Sequence, residues 1–205
     1  MPEGQDVRTR ASRVAQRSEA TRASLIAAAR RLFVEKGYFA TGTEEIVAEA
    51  GVGTRGALYH HFADKQALFQ AVLEAVEADL LSASAETPVP AGAFARLEAG
   101  LAGFLDAAAT SREVQQILLI DGPAVLGWQE WRALEERYGL GAIRALLEQA
   151  LSEGAIAEQP LEVLALILLA AVDEAALYVA NSPDPVAAKN EAVTTMERLL
   201  HGISA

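Results

Sequence analysis

Apolar residues recur at helical spacing along nearly the whole chain, and no segment alternates apolar and polar positions with period two between turn residues. The pattern predicts an all-α protein without a sheet. A first helix is predicted at about Glu19–Lys36, stopped by Gly37. A short second helix reaches Glu49 with Ile46, Val47 and Ala50 turned inward, and Thr41 with Glu44 has the spacing of a capping box ahead of it. Thr54 starts a short third helix, and Asp64 caps a long fourth at about Lys65–Ser82. The stretch Ser84-Ala85-Glu86-Thr87-Pro88-Val89-Pro90 reads as a linker by composition. Beyond it, helices are predicted at Ala91–Ala109, from a second capping box at Thr110 and Glu113 to Ile120, and over Trp128–Glu153 after a break at Asp121-Gly122-Pro123. Two more follow at Leu161–Ala180 and Val186–His201, giving nine helices and no internal repeat.

Composition narrows the class. A chain of 205 residues can bury a sizeable core, and 52% hydrophobic with 22% charged residues is a globular balance, not a disordered one. The absence of cysteine excludes disulfides, thiol catalysis and cysteine-based zinc sites, and fits a reducing cytoplasm. Met1 to Arg22 is polar and arginine-rich, without a signal-peptide pattern, and the longest apolar run, Val163–Val172, is too short to span a bilayer. A cytoplasmic protein with no membrane association is therefore expected.

The net charge of −11 changes meaning once it is divided along the chain. Residues 1–31 hold seven arginines against three acids, a local +4; residues 1–70 sum to +2 and residues 71–205 to −13. The net positive charge lies in the N-terminal part, which also holds two short helices flanking a glycine turn, Ala50-Gly51-Val52-Gly53-Thr54-Arg55-Gly56-Ala57-Leu58-Tyr59-His60-His61-Phe62. Two helices of this size across such a turn make a helix-turn-helix, whose second helix can enter a DNA major groove. Thr43 offers a hydroxyl at the start of the second helix and Lys65 a compact positive charge at the start of the fourth, both suited to phosphate. Between them stand Thr54, Arg55, Gly56, Ala57, Tyr59, His60 and His61. Gly56 and Ala57 allow close approach, Leu58 and Phe62 face the core, and Arg55 is placed to read guanine bidentately. His60 and His61 point different ways on a helix and lack further ligands, so no metal is expected.

The segment from about Thr21 to Phe69 resembles the DNA-binding domain of TetR-family transcriptional repressors. The resemblance is carried by Ala28-Ala29-Arg30-Arg31-Leu32-Phe33, Gly37-Tyr38, Ala48-Glu49-Ala50-Gly51-Val52, Leu58-Tyr59-His60-His61-Phe62, Asp64-Lys65 and Leu68-Phe69. One departure is that the family pattern has one residue fewer between the turn glycine and the tyrosine, so Gly53 reads as an insertion that lengthens the turn or tilts the second helix. The resemblance implies phosphate contacts at Thr43, Tyr59, His61 and Lys65, and groove contacts at Arg55, Gly56, Ala57 and His60. It also implies a C-terminal helical domain that holds a small-molecule effector and forms a homodimer.

In that C-terminal part, Trp128 and Trp131 stand one helical turn apart. Together with Leu118, Glu174 and Tyr178 they are the candidate effector-binding residues. Asp173 and Glu174 interrupt an otherwise apolar helix, so one of them must lie near its buried side and needs a partner there. The apolar Leu161–Ala180 helix and the stripe Val193, Met196, Leu199 and Leu200 predict a dimer interface. The expected organisation is a flexible basic arm at 1–17, a helix-turn-helix domain at 18–63 and an effector-binding and dimerisation domain at 64–205. The expected function is a repressor released from a palindromic operator in double-stranded DNA by a small-molecule effector, with no cofactor. The fourth helix would be the lever, touching DNA through Lys65 at one end and entering the body at the other. An enzyme using Asp121, Asp173 or Glu174 lacks an accompanying nucleophile, phosphate loop or metal spacing. A helical ligand carrier with a vestigial helix-turn-helix is the alternative.

Overall fold

The computed structural model describes residues 3–86 and 91–204, and over these the chain is helical. In order the helices are α1 (Glu3–Lys36), α2 (Thr43–Glu49), α3 (Arg55–His61), α4 (Lys65–Glu86), α5 (Ala93–Thr110), α6 (Gly122–Glu135), α7 (Gly141–Ser152), α8 (Leu161–Ala180) and α9 (Pro185–His201). Two π-helical stretches, Val114–Asp121 and Glu136–Leu140, lie on either side of α6. Extended pairing among the described residues is limited to one isolated antiparallel bridge between Ile156 and Ser204. Two compact units divide the chain, Met1–Glu74 and Ala75–Ala205, and α4 runs unbroken through the boundary.

The first unit is built on the inner stripe of α1. Leu25, Ala28, Ala29, Leu32 and Phe33 are buried with Ile46 of α2, Leu58 of α3 and Leu68, Phe69 and Val72 of α4. An aromatic cluster closes it, with the Phe33 ring 5.5 Å from Phe69 and Tyr38 5.2 Å from Phe69. Such contacts stabilise beyond the area they bury. Gly37 ends α1 in the left-handed region (φ 78°), its N–H donating to the Phe33 carbonyl at 2.8 Å.

Four local expectations change. The arm expected at 1–17 is helical from Glu3, because a stretch rich in alanine, arginine, glutamine and glutamate carries its own helix propensity and is joined in register to a packed helix. Residues 12–17 of that extension are exposed. Thr41 forms no capping box: it is buried, and its hydroxyl donates to the carbonyls of Gly37 (2.8 Å) and Leu32 (3.3 Å), leaving Gly42 at the cap of α2. Thr110 likewise bonds back to Asp106 within α5, and Ser111 Oγ accepts the Val114 N–H instead. Asp64 does cap α4, accepting from the Ala67 N–H at 2.7 Å. The linker expected from Ser84 begins later, since α4 continues to Glu86; its remaining positions, 87–90, lie outside the described residues.

In the second unit α5 is the centre, burying Leu97, Leu101 and Leu105 and packing against α7, α8 and α9. The break expected at Asp121-Gly122-Pro123 does not occur. Gly122 stays helical and Pro123 sits in the first turn of α6, where a missing N–H costs little. The chain bends instead at Gly127 (φ 74°), a conformation that favours glycine. By length and composition α8 is the one helix among the described residues that could cross a membrane. Here it packs against α5, α7 and α9, burying Ala165, Leu168, Leu169, Val172, Ala176 and Val179. Val163, Ile167 and Tyr178 remain exposed on its other side.

Candidate nucleic-acid interface

The turn between α2 and α3 is made by glycine at its first corner. Gly51 is left-handed (φ 65°), and the N–H groups of Gly51 and Val52 close onto the carbonyls of Ala48 (3.1 Å) and Val47 (3.2 Å). Gly53 is exposed, lies outside the left-handed region, and a Cβ there would meet nothing within 4 Å. Gly53 therefore stands on the solvent side of the turn. Thr54 occupies the cap of α3 in extended conformation without a side-chain bond. Leu58 and Phe62 are buried, which fixes the opposite face of α3 outward.

That outward face carries a hydrogen-bonded cluster. Arg55 Nη1 donates to Glu44 Oε1 at 3.0 Å, and Nη2 lies 3.4 Å from the Tyr59 hydroxyl. Tyr59 is also bonded to the Thr43 side chain. The Arg55 bond, then the Thr43 bond, draws the Tyr59 phenol below its usual range, while the same contact with Tyr59, reinforced by Glu44, raises Arg55. Residues of α2 and α3 thus meet: Thr43, Glu44, Arg55 and Tyr59 form one connected surface, with Tyr59 and Arg55 largely solvent-exposed.

The other expected positions divide. Gly56 and His60 are exposed, and Ala57 and His61 are half-buried; the His60 and His61 rings stand 5.2 Å apart, edge to face. A Cβ at Gly56 would meet only Thr54 Oγ1 at 3.6 Å, so no neighbour within the chain requires glycine there. Lys65 is not a freely reaching charge: its ammonium lies 4.0 Å from the Tyr38 ring centre and donates to the Tyr38 carbonyl at 2.5 Å. Glu44, which spacing matched to Thr41, pairs instead with Arg55, and Tyr38 is a partner of Lys65 that spacing did not single out. The signal for Glu44 was an acid in the first turn of α2, but the pairing depends on the angle between two helices, which one helix's periodicity does not contain.

Ion pairs join α1 to α2 beside this face, Arg31 with Glu49 at 2.8 Å and Lys36 with Glu45. Exposed pairs of this kind contribute little to stability, so their effect is on the local field more than on the fold.

The five candidate effector residues differ in exposure. Leu118 is buried in the second unit, Trp131 is half-buried, and Trp128 is 72% exposed with the Arg132 guanidinium 5.0 Å from its ring centre. Glu174 is exposed, and Tyr178, also exposed, donates to Glu191 Oε2 at 3.2 Å. Gly127 bends the chain just ahead of both tryptophans, and beyond it Trp128 is exposed and Trp131 half-buried. Of the two acids on α8, Asp173 is the half-buried one. Asp121 is more deeply buried than either, at the end of a π-helical stretch.

Comparison with known proteins follows the same division. Residues 25–72 match the family described as bacterial regulatory proteins, tetR family, and residues 94–203 match the tetracyclin repressor-like C-terminal domain. The chain is 29% identical over 140 residues to the transposon Tn10 TetC protein of Escherichia coli, covering 66% of this chain and 68% of that protein. It is 40% identical over 70 residues to the HTH-type transcriptional regulator AcrR of Shigella flexneri, a match that covers 34% of this chain and 32% of that one. A TetR-family transcriptional regulator from Pectobacterium atrosepticum superposes with a TM-score of 0.78 at 31% identity, over 93% of this chain and 97% of that one.

Proposed function

The chain belongs to the TetR family of DNA-binding transcriptional regulators, and from that premise we propose that it is a homodimeric cytoplasmic repressor released from a palindromic operator by a small-molecule effector. The observation that carries this reading is the Thr43–Tyr59–Arg55 cluster on the exposed side of the helix-turn-helix. Its hydroxyls suit phosphate oxygens, and the Arg55 guanidinium suits a guanine edge. Gly56, Ala57 and His60 line the approach to the groove; Thr54, His61 and Lys65 flank it. The protein acts by binding, without catalysing a reaction.

Dimerisation is supported by Val163, Ile167 and Tyr178 of α8 and Leu199 of α9, large side chains left exposed in the single chain. A second copy covering them sets two copies of α3 about a two-fold axis, matched to half-sites about 34 Å apart. The effector is assigned to the second unit, with Leu118, Trp128, Trp131, Glu174 and Tyr178 as its candidate contacts. The lever is α4, because one continuous helix leaves Lys65 and crosses the boundary between the units. An effector acts only through a difference in its affinity for the bound and released states.

The test is selection of genomic fragments by the purified protein at near-physiological salt. Enrichment of a palindromic site supports the reading, and the neighbouring genes then supply compounds to be tested for release. No enrichment overturns it and favours a helical ligand carrier.

A further inference from the structure

Resting on that reading of the DNA face, we propose that Glu44 is a positioning residue for sequence discrimination, acting through its ion pair with Arg55. Glu44 is ion-paired with Arg55 of the Arg55–Tyr59–Thr43 cluster, and its side chain is 78% exposed. A carboxylate on such a surface is repelled by phosphate and weakens binding of every sequence, unless its charge is engaged elsewhere. Here it is engaged by Arg55 at 3.0 Å.

The guanidinium has five N–H donors. One is committed to Glu44 and one to Tyr59, which leaves three, and a guanine edge takes two. Arg55 therefore reads a base without letting go of Glu44. Contact with a phosphate of arbitrary sequence is different. The pair presents no net charge to the backbone, and an Arg55 that swings away to a phosphate abandons Glu44 facing the polyanion. The pair taxes non-operator binding and spares operator binding, and it holds the long Arg55 side chain in place before DNA arrives.

The test is a double-mutant cycle of Glu44→Gln and Arg55→Ala, with affinities for the selected operator and a scrambled duplex measured by fluorescence anisotropy across a salt series. Helical content and urea midpoint are checked for each variant. For Glu44→Gln the scrambled duplex is expected to bind roughly five- to tenfold tighter, with a salt slope steeper by about 0.9, one additional phosphate contact. Operator affinity gains less than that of the scrambled duplex, because Arg55 loses its positioning partner, so the operator-to-scrambled ratio falls. In the Arg55→Ala background the same change leaves that ratio unaltered. An unchanged ratio in Glu44→Gln overturns the proposal. So does an equal fall of the ratio without Arg55, which would make Glu44 a direct reader. If the unmodified protein itself binds both duplexes alike, the reading as a sequence-specific regulator fails first, and is identified as the failure.

Discussion

At the scale of residues, Tyr59 and Tyr38 are a natural experiment in how surroundings act on one side chain. The Tyr59 phenol is drawn below its ordinary value of about 10 by Arg55 and then Thr43, whereas burial, helped by the Asp64 charge, pushes Tyr38 above it. The fold thus favours the ionised form of Tyr59 and the neutral form of Tyr38. The Tyr38 contribution to stability is present below the unfolded value and is lost as pH rises through its folded value; that of Tyr59 has the opposite sign. An alkaline absorbance titration, compared with Tyr38→Phe and Tyr59→Phe, should show Tyr59 ionising before Tyr38. Tyr59→Phe should also weaken binding to all duplexes by roughly tenfold with an unchanged salt slope, because a lost phenol releases no counterion. Most of this face was legible in the sequence, since residue types at the start of α2 and along α3 are enough to mark hydroxyls, Arg55 and small residues. The partners were not: Glu44 reaches Arg55, and Lys65 settles on Tyr38, through angles and turns that spacing does not encode.

Elements show why capping and breaking were the weak points of the reading. Thr41 has the composition of a helix cap, yet it lies where α1 and the following turn leave carbonyls to satisfy, and burial made those the better partners. Pro123 looked like a stop, but a proline in a first turn loses no bond the helix uses. The real bend is at Gly127, whose φ of 74° is invisible in composition. The two glycines of the recognition turn give a direct check. Gly51→Ala forces a left-handed alanine and should cost about 1–2 kcal/mol, whereas Gly53→Ala should stay within about 0.5 kcal/mol of the parent, both by urea unfolding. Leu58→Ala, which empties the fully buried anchor of α3, should cost about 2–5 kcal/mol.

For the whole molecule, the sequence read correctly that the chain is helical, and it places the net positive charge in the N-terminal part. What it read least well is the second unit, because aromatic residues at helical spacing do not reveal which side of a bent helix they take, as Trp128 shows. The dimer is testable there. Ile167 is 59% exposed in the single chain, so Ile167→Asp should leave the protomer folded. Sedimentation should nevertheless shift from dimer to monomer, with operator binding falling toward that of isolated half-sites. Helix α8 carries a further consequence, for synthesis on the ribosome. Twenty residues apolar enough to pass for a membrane span are prone to aggregate while they linger uncovered. Chain order shortens that interval, because α5 and α7 have already emerged when α8 appears, and both pack on its inner side. Within the chain only α9 remains to arrive. A circular permutation that made α8 the first helix would reverse this order and leave it waiting for every partner it has.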